Sequence, residues 1–189
     1  MNMSYNITIF PKVMKMYDIN SKKDIKEKII LRKTLAKDLD FVINSENLKE
    51  NSPYIGNWSR EEHLESLSKD NISHLIIEKD SYPIGYMILV ENYHKKIVEL
   101  KRLVINEKNK GYGKIILNQI KKYYFEKCQT ERLWLDVRLN NKRGQYLYKN
   151  IGFIEEGILR NAVYNNENFE SIIIMSILKE EYFLKKIME

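Results

Sequence analysis

The chain has 189 residues, of which 43% are hydrophobic and 31% charged; this size and balance favour one globular domain, with or without an extension, and exclude a wholly disordered chain. No apolar run approaches the roughly 18 residues of a membrane-spanning helix, and the one cysteine, Cys128, excludes an intrachain disulfide. The net charge is +6, but the 25 lysines and seven arginines are interleaved with acids, which favours a solvated surface of mixed charge over nucleic-acid binding.

Residues 1–27 carry no clear pattern, and we treat them as an N-terminal extension of uncertain structure. The apolar spacing then predicts a strand over 28–33 and a helix over 36–44, and Ser59 with Glu62 has the spacing of a capping box that begins a second helix. The rest of the chain predicts strands over 74–78, 84–90 and 97–105, a helix over 111–128, a strand over 133–137, a helix over 142–150, and strands over 153–163 and 169–178. In the strand over 97–105, neither the odd-numbered nor the even-numbered residues are all apolar, so the pattern does not show which face of the strand is buried. Hairpins and crossovers are mixed, which predicts an α/β or α+β domain with a mixed sheet.

A strand, a polar loop with two glycines and an amphipathic helix follow one another between Leu103 and the residues after Lys114. The N-terminus of a helix presents backbone N–H groups and the positive end of the helix dipole, which suits a phosphate group. Two common phosphate loops are excluded, since Ile116 stands where a dinucleotide fingerprint needs its third small residue and Ile115 stands where a P-loop needs Ser or Thr. On spacing alone, a lysine-rich loop before a core helix is an equally good interpretation.

The residues downstream favour the phosphate-binding interpretation. The pattern Lys108-x-x-Gly111-Tyr112-Gly113 resembles the Gln/Arg-x-x-Gly-x-Gly/Ala loop of the GNAT acetyltransferase superfamily, with lysine in place of the usual first residue. The segments that follow resemble the next elements of that family at matching separations: 132–137, Asn141, Leu147-Tyr148, Gly152-Phe153, 156–160 and the closing strand over 172–178. The resemblance covers about residues 28–182, so the extension over 1–27 and a C-terminal tail over 183–189 lie outside the expected domain.

The resemblance implies a central mixed, mostly antiparallel sheet with a splayed strand pair and helices on both faces. It also implies direct transfer of the acetyl group of acetyl-CoA, used as a co-substrate, to a primary amine. In that family the cofactor pyrophosphate lies against the loop at 108–114, here named the cofactor loop, and the pantetheine arm lies against the preceding strand. The residues therefore expected to contact acetyl-CoA are Leu103, Val104, Ile105, Lys108, Asn109, Lys110, Gly111, Tyr112, Gly113, Lys114, Asn141 and Tyr148.

Two residues are candidates for catalytic proton transfer. The resemblance places Tyr148 where a tyrosine of the family often protonates the departing CoA thiolate. It places Glu99 on the strand that leads into the cofactor loop, where some members carry a general base. Tyr148 could instead fill the core, Glu99 could instead pair with Arg102 or Lys101, and Asn141 could cap the helix that follows it.

The acceptor side is less specified than the cofactor side. Tyr54, Trp58 and Asp136 are the candidate acceptor contacts, the first two because they lie in a turn-rich stretch where the family builds its acceptor pocket. Trp58 could also pack against the helix that follows it. The three histidines lack metal-ligand spacing, so we expect no metal.

The expected partner is a small-molecule or peptide amine, and we expect neither nucleic-acid nor membrane binding. Residues 1–4 lack the start of a signal peptide, which together with the single cysteine favours a cytoplasmic protein, acting as a monomer or homodimer. A non-catalytic, regulatory GNAT-fold module that binds acetyl-CoA is the alternative to an enzyme.

Overall fold

The computed structural model describes residues 29–56, 58–165 and 168–188, so the predicted extension over 1–27 lies outside the described residues. The strands are β1 (Ile29–Lys33), β2 (Ile72–Lys79), β3 (Tyr82–Asn92), β4 (Ile97–Ile105), β5 (Arg132–Arg138), β6 (Ile154–Asn165) and β7 (Asn168–Leu178). The α-helices are α1 (Leu39–Asn47), α2 (Arg60–Ser68), α3 (Tyr112–Lys122), α4 (Lys142–Ile151) and α5 (Lys179–Met188). A 3₁₀ turn at Ala36–Asp38 precedes α1, another lies at Ser52–Tyr54, and a π-helical turn at Tyr123–Lys127 continues α3.

The helices and strands predicted from residue 29 onward are all present, with ends that differ by a few residues. The capping box of α2 is confirmed, because the Ser59 hydroxyl accepts from the Glu62 N–H at 3.2 Å and the Glu62 carboxylate accepts from the Ser59 N–H at 2.6 Å. One helix, α5, was not predicted: the stretch treated as a tail is helical as far as Met188. Tyr182 of this helix stacks on Phe125 at 5.1 Å between ring centroids, which holds α5 against the end of α3.

The seven strands form one sheet in the order β1-β2-β3-β4-β5-β7-β6. All neighbours are antiparallel except β4 and β5, which are parallel and pair at three positions, from Ile97 with Arg132 to Glu99 with Trp134. Beyond Glu99 the two strands separate and leave a gap in the middle of the sheet. The expected mixed, mostly antiparallel sheet with a splayed strand pair is therefore confirmed.

A β-bulge lies on β4 directly after the last pair with β5. Two successive residues of β3 pair with Leu100 and Arg102, so Lys101 is an extra residue in β4. Because strand side chains alternate between faces, one extra residue reverses the faces of all later residues. Leu100 accordingly packs in the main core, whereas Val104 packs in a second cluster on the opposite face.

Helices cover both faces of the sheet. The main core lies under α3 and α4 and includes Ile116, Ile120, Ile151, Leu133, Leu135 and Val137. The second cluster lies under α1 and consists of Val42, Ile76, Tyr86, Ile88 and Val104; we call this side of the sheet the α1 face. Since alternate residues of β5 pack in the main core, the residues between them, Trp134, Asp136 and Arg138, lie on the α1 face.

The close pairing of β3 and β4 depends on Gly85. A Cβ atom added to Gly85 would lie 2.1 Å from the carbonyl oxygen of Val104, a backbone atom that cannot rotate away. We expect Gly85→Ala to lower the free energy of unfolding by about 1–3 kcal/mol, as measured by urea denaturation. Gly157→Ala is the matched control, because a Cβ there meets nothing within 4 Å. An equal loss in both variants would contradict the assigned packing.

Candidate active site

A cavity of about 1290 Å³ occupies the gap between β4 and β5. Its walls come from the loop between α1 and α2, from β4, the cofactor loop and β5, and from the beginning of α4. Cavities that bind one drug-sized ligand typically measure about 300–1,000 Å³, so this one has room for two substrates. Most of the predicted site residues line it: Tyr54, Trp58, Leu103, Ile105, Lys108, Asn109, Lys110, Gly111, Tyr112, Gly113, Lys114, Asp136, Asn141 and Tyr148.

Two predicted site residues, Val104 and Glu99, are not part of the cavity wall. The Val104 side chain is buried in the second cluster, so only its backbone lies at the strand edge. Glu99 is the last β4 residue paired with β5, and its carboxylate lies 3.1 Å from the Lys101 ammonium group. The pairing with Lys101 that the sequence left open is therefore present, and the catalytic role of Glu99 stays a prediction.

The cofactor loop ends in a left-handed glycine. Gly111 is the N-cap of α3 with φ +80°, a conformation that residues with a side chain adopt at a cost. The first hydrogen bond within α3 runs from the Ile115 N–H to the Gly111 carbonyl at 3.2 Å. The N–H groups of residues 113 and 114 therefore lie in the first turn, where backbone N–H groups have no partner within the helix. Lys110 and Lys114 are exposed beside this turn. The loop therefore presents N–H groups and positive charge to the cavity.

Lys108 has a structural role in addition to its place in the loop. Its ammonium group donates to the side-chain oxygen of Asn51, and Asn51 in turn donates to the Ser45 carbonyl at 2.7 Å. Burial, together with the charge of Arg143, lowers the pKa of Lys108 below its usual value. Lys108 therefore connects the cofactor loop to the end of α1, and its predicted contact with acetyl-CoA stays a prediction.

Asn141 has the capping role that the sequence left open. It is the N-cap of α4, and its side-chain oxygen accepts from the Gly144 N–H at 2.9 Å. The residue also lines the cavity, and the amide group has donors besides that oxygen. Capping and a contact to a bound molecule are therefore compatible at this position.

Tyr148 and Asp136 lie together on the cavity wall. Tyr148 projects from α4 with its ring edge-on to Phe153 at 5.7 Å, and Asp136 lies on β5 beyond the last pair with β4. Burial, and to a smaller extent the Asp136 carboxylate, raises the pKa of the Tyr148 hydroxyl to about 12. The phenol thus keeps its proton throughout the neutral and mildly alkaline range.

A buried carboxylate, Glu46, lies behind the α1-face wall of the cavity. It accepts hydrogen bonds from the Tyr86 hydroxyl and the Arg102 guanidinium group, and it lies 3.3 Å from the His63 Nε2 atom. Burial alone would raise its pKa, but the His63 contact and the positive charge of Arg102 outweigh burial and hold the pKa below its usual value. Glu46 is therefore a carboxylate ion whose Oε1 atom contacts all three groups.

Two histidines extend this network away from the cavity. The His63 Nδ1 atom lies 3.2 Å from the His74 Nε2 atom, and the His74 Nδ1 atom lies 2.9 Å from the Thr34 hydroxyl. Burial, followed by the charges of His63 and Arg102, lowers the pKa of His74 to about 3, so its ring is neutral. Sequence reasoning missed the network because its members are far apart in the chain and have no local spacing in common.

Trp58 and Arg102 form one unit at the cavity wall. The Arg102 guanidinium carbon lies 4.4 Å from the Trp58 ring centroid, which is a cation–π contact. Trp58 also packs edge-on against His63 of α2 at 5.3 Å. Trp58 therefore packs against α2 and also lines the cavity, and its contact with an acceptor stays a prediction.

Over residues 29–56, 58–165 and 168–188, no three His, Cys, Asp or Glu residues are grouped as metal ligands. None of the helices in these ranges is long and apolar enough to cross a membrane.

Comparison with known proteins gives a family match. The model of the acetyltransferase (GNAT) family matches residues 42–153, more than half of the chain. The chain is 27% identical over 167 residues to a protein from Vibrio cholerae serotype O1 named spermidine N(1)-acetyltransferase, covering 82% of this chain and 95% of that protein. It is 28% identical over 163 residues to a Bacillus subtilis (strain 168) protein provisionally named as a ribosomal protein bS18-alanine N-acetyltransferase, covering 83% of this chain and 100% of that one.

A solved structure shows the same architecture. The crystal structure of spermidine N-acetyltransferase from Vibrio cholerae in complex with CoA and spermine superposes with a TM-score of 0.72 at 25% identity. The superposition covers 82% of this chain and 98% of that chain.

Proposed function

The chain belongs to the GNAT acetyltransferase family, and on that premise we propose that it transfers the acetyl group of acetyl-CoA to the primary amine of a small molecule. The observation that carries the proposal is the gap between β4 and β5. An unpaired strand edge, a helix N-terminus with lysines, and a tyrosine beside a carboxylate all meet in one cavity there.

The residues of the gap fit acetyl-CoA, which supplies an activated acetyl thioester when bound. The N–H groups at 113 and 114, with Lys110 and Lys114 beside them, suit a pyrophosphate. The edge of β4 beyond Glu99 is not paired with β5, which leaves backbone groups for the amides of the pantetheine arm. An N–H on this edge that polarises the thioester carbonyl would contribute about 2.7–4 kcal/mol to transition-state stabilisation.

The acceptor amine needs a base before it can attack. An alkyl ammonium group with a pKa of ~10.4 is protonated at pH 7, and the ~3.4 pK units correspond to roughly 4.6 kcal/mol. We assign this role to Asp136, because its carboxylate lines the cavity, whereas the Glu99 carboxylate lies before the gap and is paired with Lys101. Glu99 remains the second candidate, acting through water.

Tyr148 is the proposed proton donor to the departing sulfur. As the amine nitrogen bonds to the acetyl carbon, the bond between that carbon and sulfur breaks; the nitrogen gives up one proton and the thiolate gains one. The Tyr148 hydroxyl is protonated at neutral pH because burial and Asp136 raise its pKa to about 12. A positioned acid of this kind typically contributes a factor of about 10²–10⁴ in rate.

The direct test of this function is thiol release by the purified full-length chain with acetyl-CoA and a panel of primary amines. Amine-dependent appearance of free CoA thiol would support the proposal. If acetyl-CoA stabilises the protein while no amine releases thiol, the result would favour a module that binds acetyl-CoA without turnover.

Removal of the Tyr148 hydroxyl tests the proton donor. We expect Tyr148→Phe to lower kcat by about 100-fold or more while the KM for acetyl-CoA changes by less than about threefold, because the ring contact with Phe153 is kept. Steady-state kinetics from pH 7 to 10 provide the measurement. Because the pKa of Tyr148 is about 12, its ionisation adds no alkaline limb to the wild-type profile in this range. A kcat equal to that of the wild type would remove Tyr148 from the mechanism.

A pair of variants separates the two candidate bases. We expect Asp136→Asn to lower kcat/KM for the amine about 100-fold at pH 7 and by much less at pH 10, where a large share of the amine is already neutral. Glu99→Gln is the matched comparison and should have the smaller effect, because its carboxylate is already paired with Lys101. The reverse order of the two losses would assign the base to Glu99, and a loss at Asp136 that does not depend on pH would indicate a positioning role.

A further inference from the structure

The cavity presents a buried guanidinium group to the acceptor. Arg102 follows the bulge of β4 and lies on the α1 face, and only 8% of its surface is exposed although it lines the cavity. The loop between α1 and α2 crosses it at Gly56, where an added Cβ would lie 3.8 Å from the Nη2 atom. Because glycine has no side chain, Gly56 itself places no side-chain atom over the Nη2 atom.

Arg102 is fixed in place from two sides. Glu46 accepts a hydrogen bond from the Nη1 atom, and the Trp58 ring stacks on the guanidinium plane at 4.4 Å. A guanidinium group carries five N–H donors, so the Glu46 contact leaves others for a ligand. Glu46 also accepts from Tyr86 and contacts His63, so the carboxylate that orients Arg102 is itself held by β3 and α2.

A second guanidinium group faces the gap from the opposite strand. Arg138 of β5 lies on the same α1 face, is 7% exposed and also lines the cavity. Its nearest carboxylate oxygen belongs to Glu170 at 3.4 Å, and its Nη1 atom makes no hydrogen bond to any residue in the described ranges. Two buried arginines thus stand on either side of the gap.

Asp136 completes the arrangement. It lies two residues before Arg138 on the same face of β5, so the two Cα atoms are about 6.6 Å apart along the strand. The carboxylate of Asp136 suits the ammonium group of an acceptor, and a guanidinium fork suits a carboxylate. Lysines and glutamates both occur elsewhere on the wall, as Lys49 and Glu50 show, so the preference for a carboxylate depends on the two guanidinium groups.

We propose that Arg102 and Arg138 bind a carboxylate of the acceptor, so that the substrate class is a primary amine that carries a carboxylate several bonds away, as in a diamino acid. The inference rests on the proposed function and narrows its acceptor. Arg102 and Arg138 are specificity-determining residues in this account, and Glu46 is a positioning residue that acts through Arg102.

The test compares amines that differ only in the carboxylate. L-lysine is paired with cadaverine, L-ornithine with putrescine, and spermidine is included as a polycation, with release of free CoA thiol as the readout. We expect kcat/KM to be at least about tenfold higher for the carboxylate-bearing member of each pair, because an analogue without the carboxylate leaves buried guanidinium N–H donors without a hydrogen-bond partner.

Two variants assign that preference to the arginines. The variants are Arg138→Gln and Arg102→Lys, and each should reduce the preference to about threefold or less. Arg102→Lys is chosen because it keeps a positive charge beside Glu46 and so avoids a buried unpaired carboxylate. Both variants should reduce the preference mainly by raising KM for the amino acids. Arg160→Gln is the matched control, since Arg160 is exposed on β6 and is not part of the cavity wall.

The outcomes separate this inference from the proposed function. Equal or faster acetylation of cadaverine, putrescine or spermidine by the wild type would overturn the carboxylate assignment and leave the acetyltransferase function in place. The same holds if neither arginine variant changes the preference. If no amine releases thiol, the proposed function fails, and the thermal stability of the CoA-bound protein then tests the inference separately. Stabilisation by L-lysine but not by cadaverine, with loss of this difference in Arg138→Gln, would support the inference. Equal stabilisation by L-lysine and cadaverine would overturn it.

Discussion

One extra residue in β4, Lys101, is the constraint on which the site depends. The bulge lies directly after Glu99, the last β4 residue paired with β5, so β4 bends where the sheet opens. It also reverses the faces of the residues that follow, which places Leu100 in the core and Arg102 on the α1 face. The gap between β4 and β5 and the guanidinium group on its α1-face wall therefore have a common origin in the backbone of β4.

The buried carboxylate of Glu46 connects this strand to the rest of the α1 face. It joins α1 to β3 through Tyr86 and to β4 through Arg102, and His63 adds a contact from α2. Removing one partner of a buried ion pair costs about 3–5 kcal/mol, so moving Arg102 away from Glu46 would destabilise the fold by a similar free energy. The α1-face wall of the cavity is thus tied to α1, α2 and β3, while the cofactor loop is connected separately to α1 through Lys108 and Asn51.

Local signals made much of the fold predictable and directed attention to the loop that lines the cavity. Ser59 and Glu62 marked the beginning of α2, and the spacing of Lys108, Gly111 and Gly113 led to the cofactor loop through the family resemblance. The sequence did not show which residues of β4 face the core, because the bulge reverses the alternation of faces within 97–105. The bulge itself is defined by the pairing with β3, which no local pattern reveals. The Glu46 network was missed for a similar reason, since a buried glutamate in an amphipathic helix looks like a surface residue until its distant partners are known.

Thermal unfolding tests most directly whether the gap between β4 and β5 binds acetyl-CoA with its pyrophosphate at the cofactor loop. At ligand concentrations of about 100 times Kd, acetyl-CoA and CoA should each raise the Tm by about 5–10 °C, whereas ATP at the same concentration should raise it little. Gly111→Val should fold and lose these shifts, because a β-branched residue disfavours the φ of +80° at the N-cap of α3. An unchanged Tm with both CoA species, an equal shift with ATP, or full shifts in Gly111→Val would contradict the account.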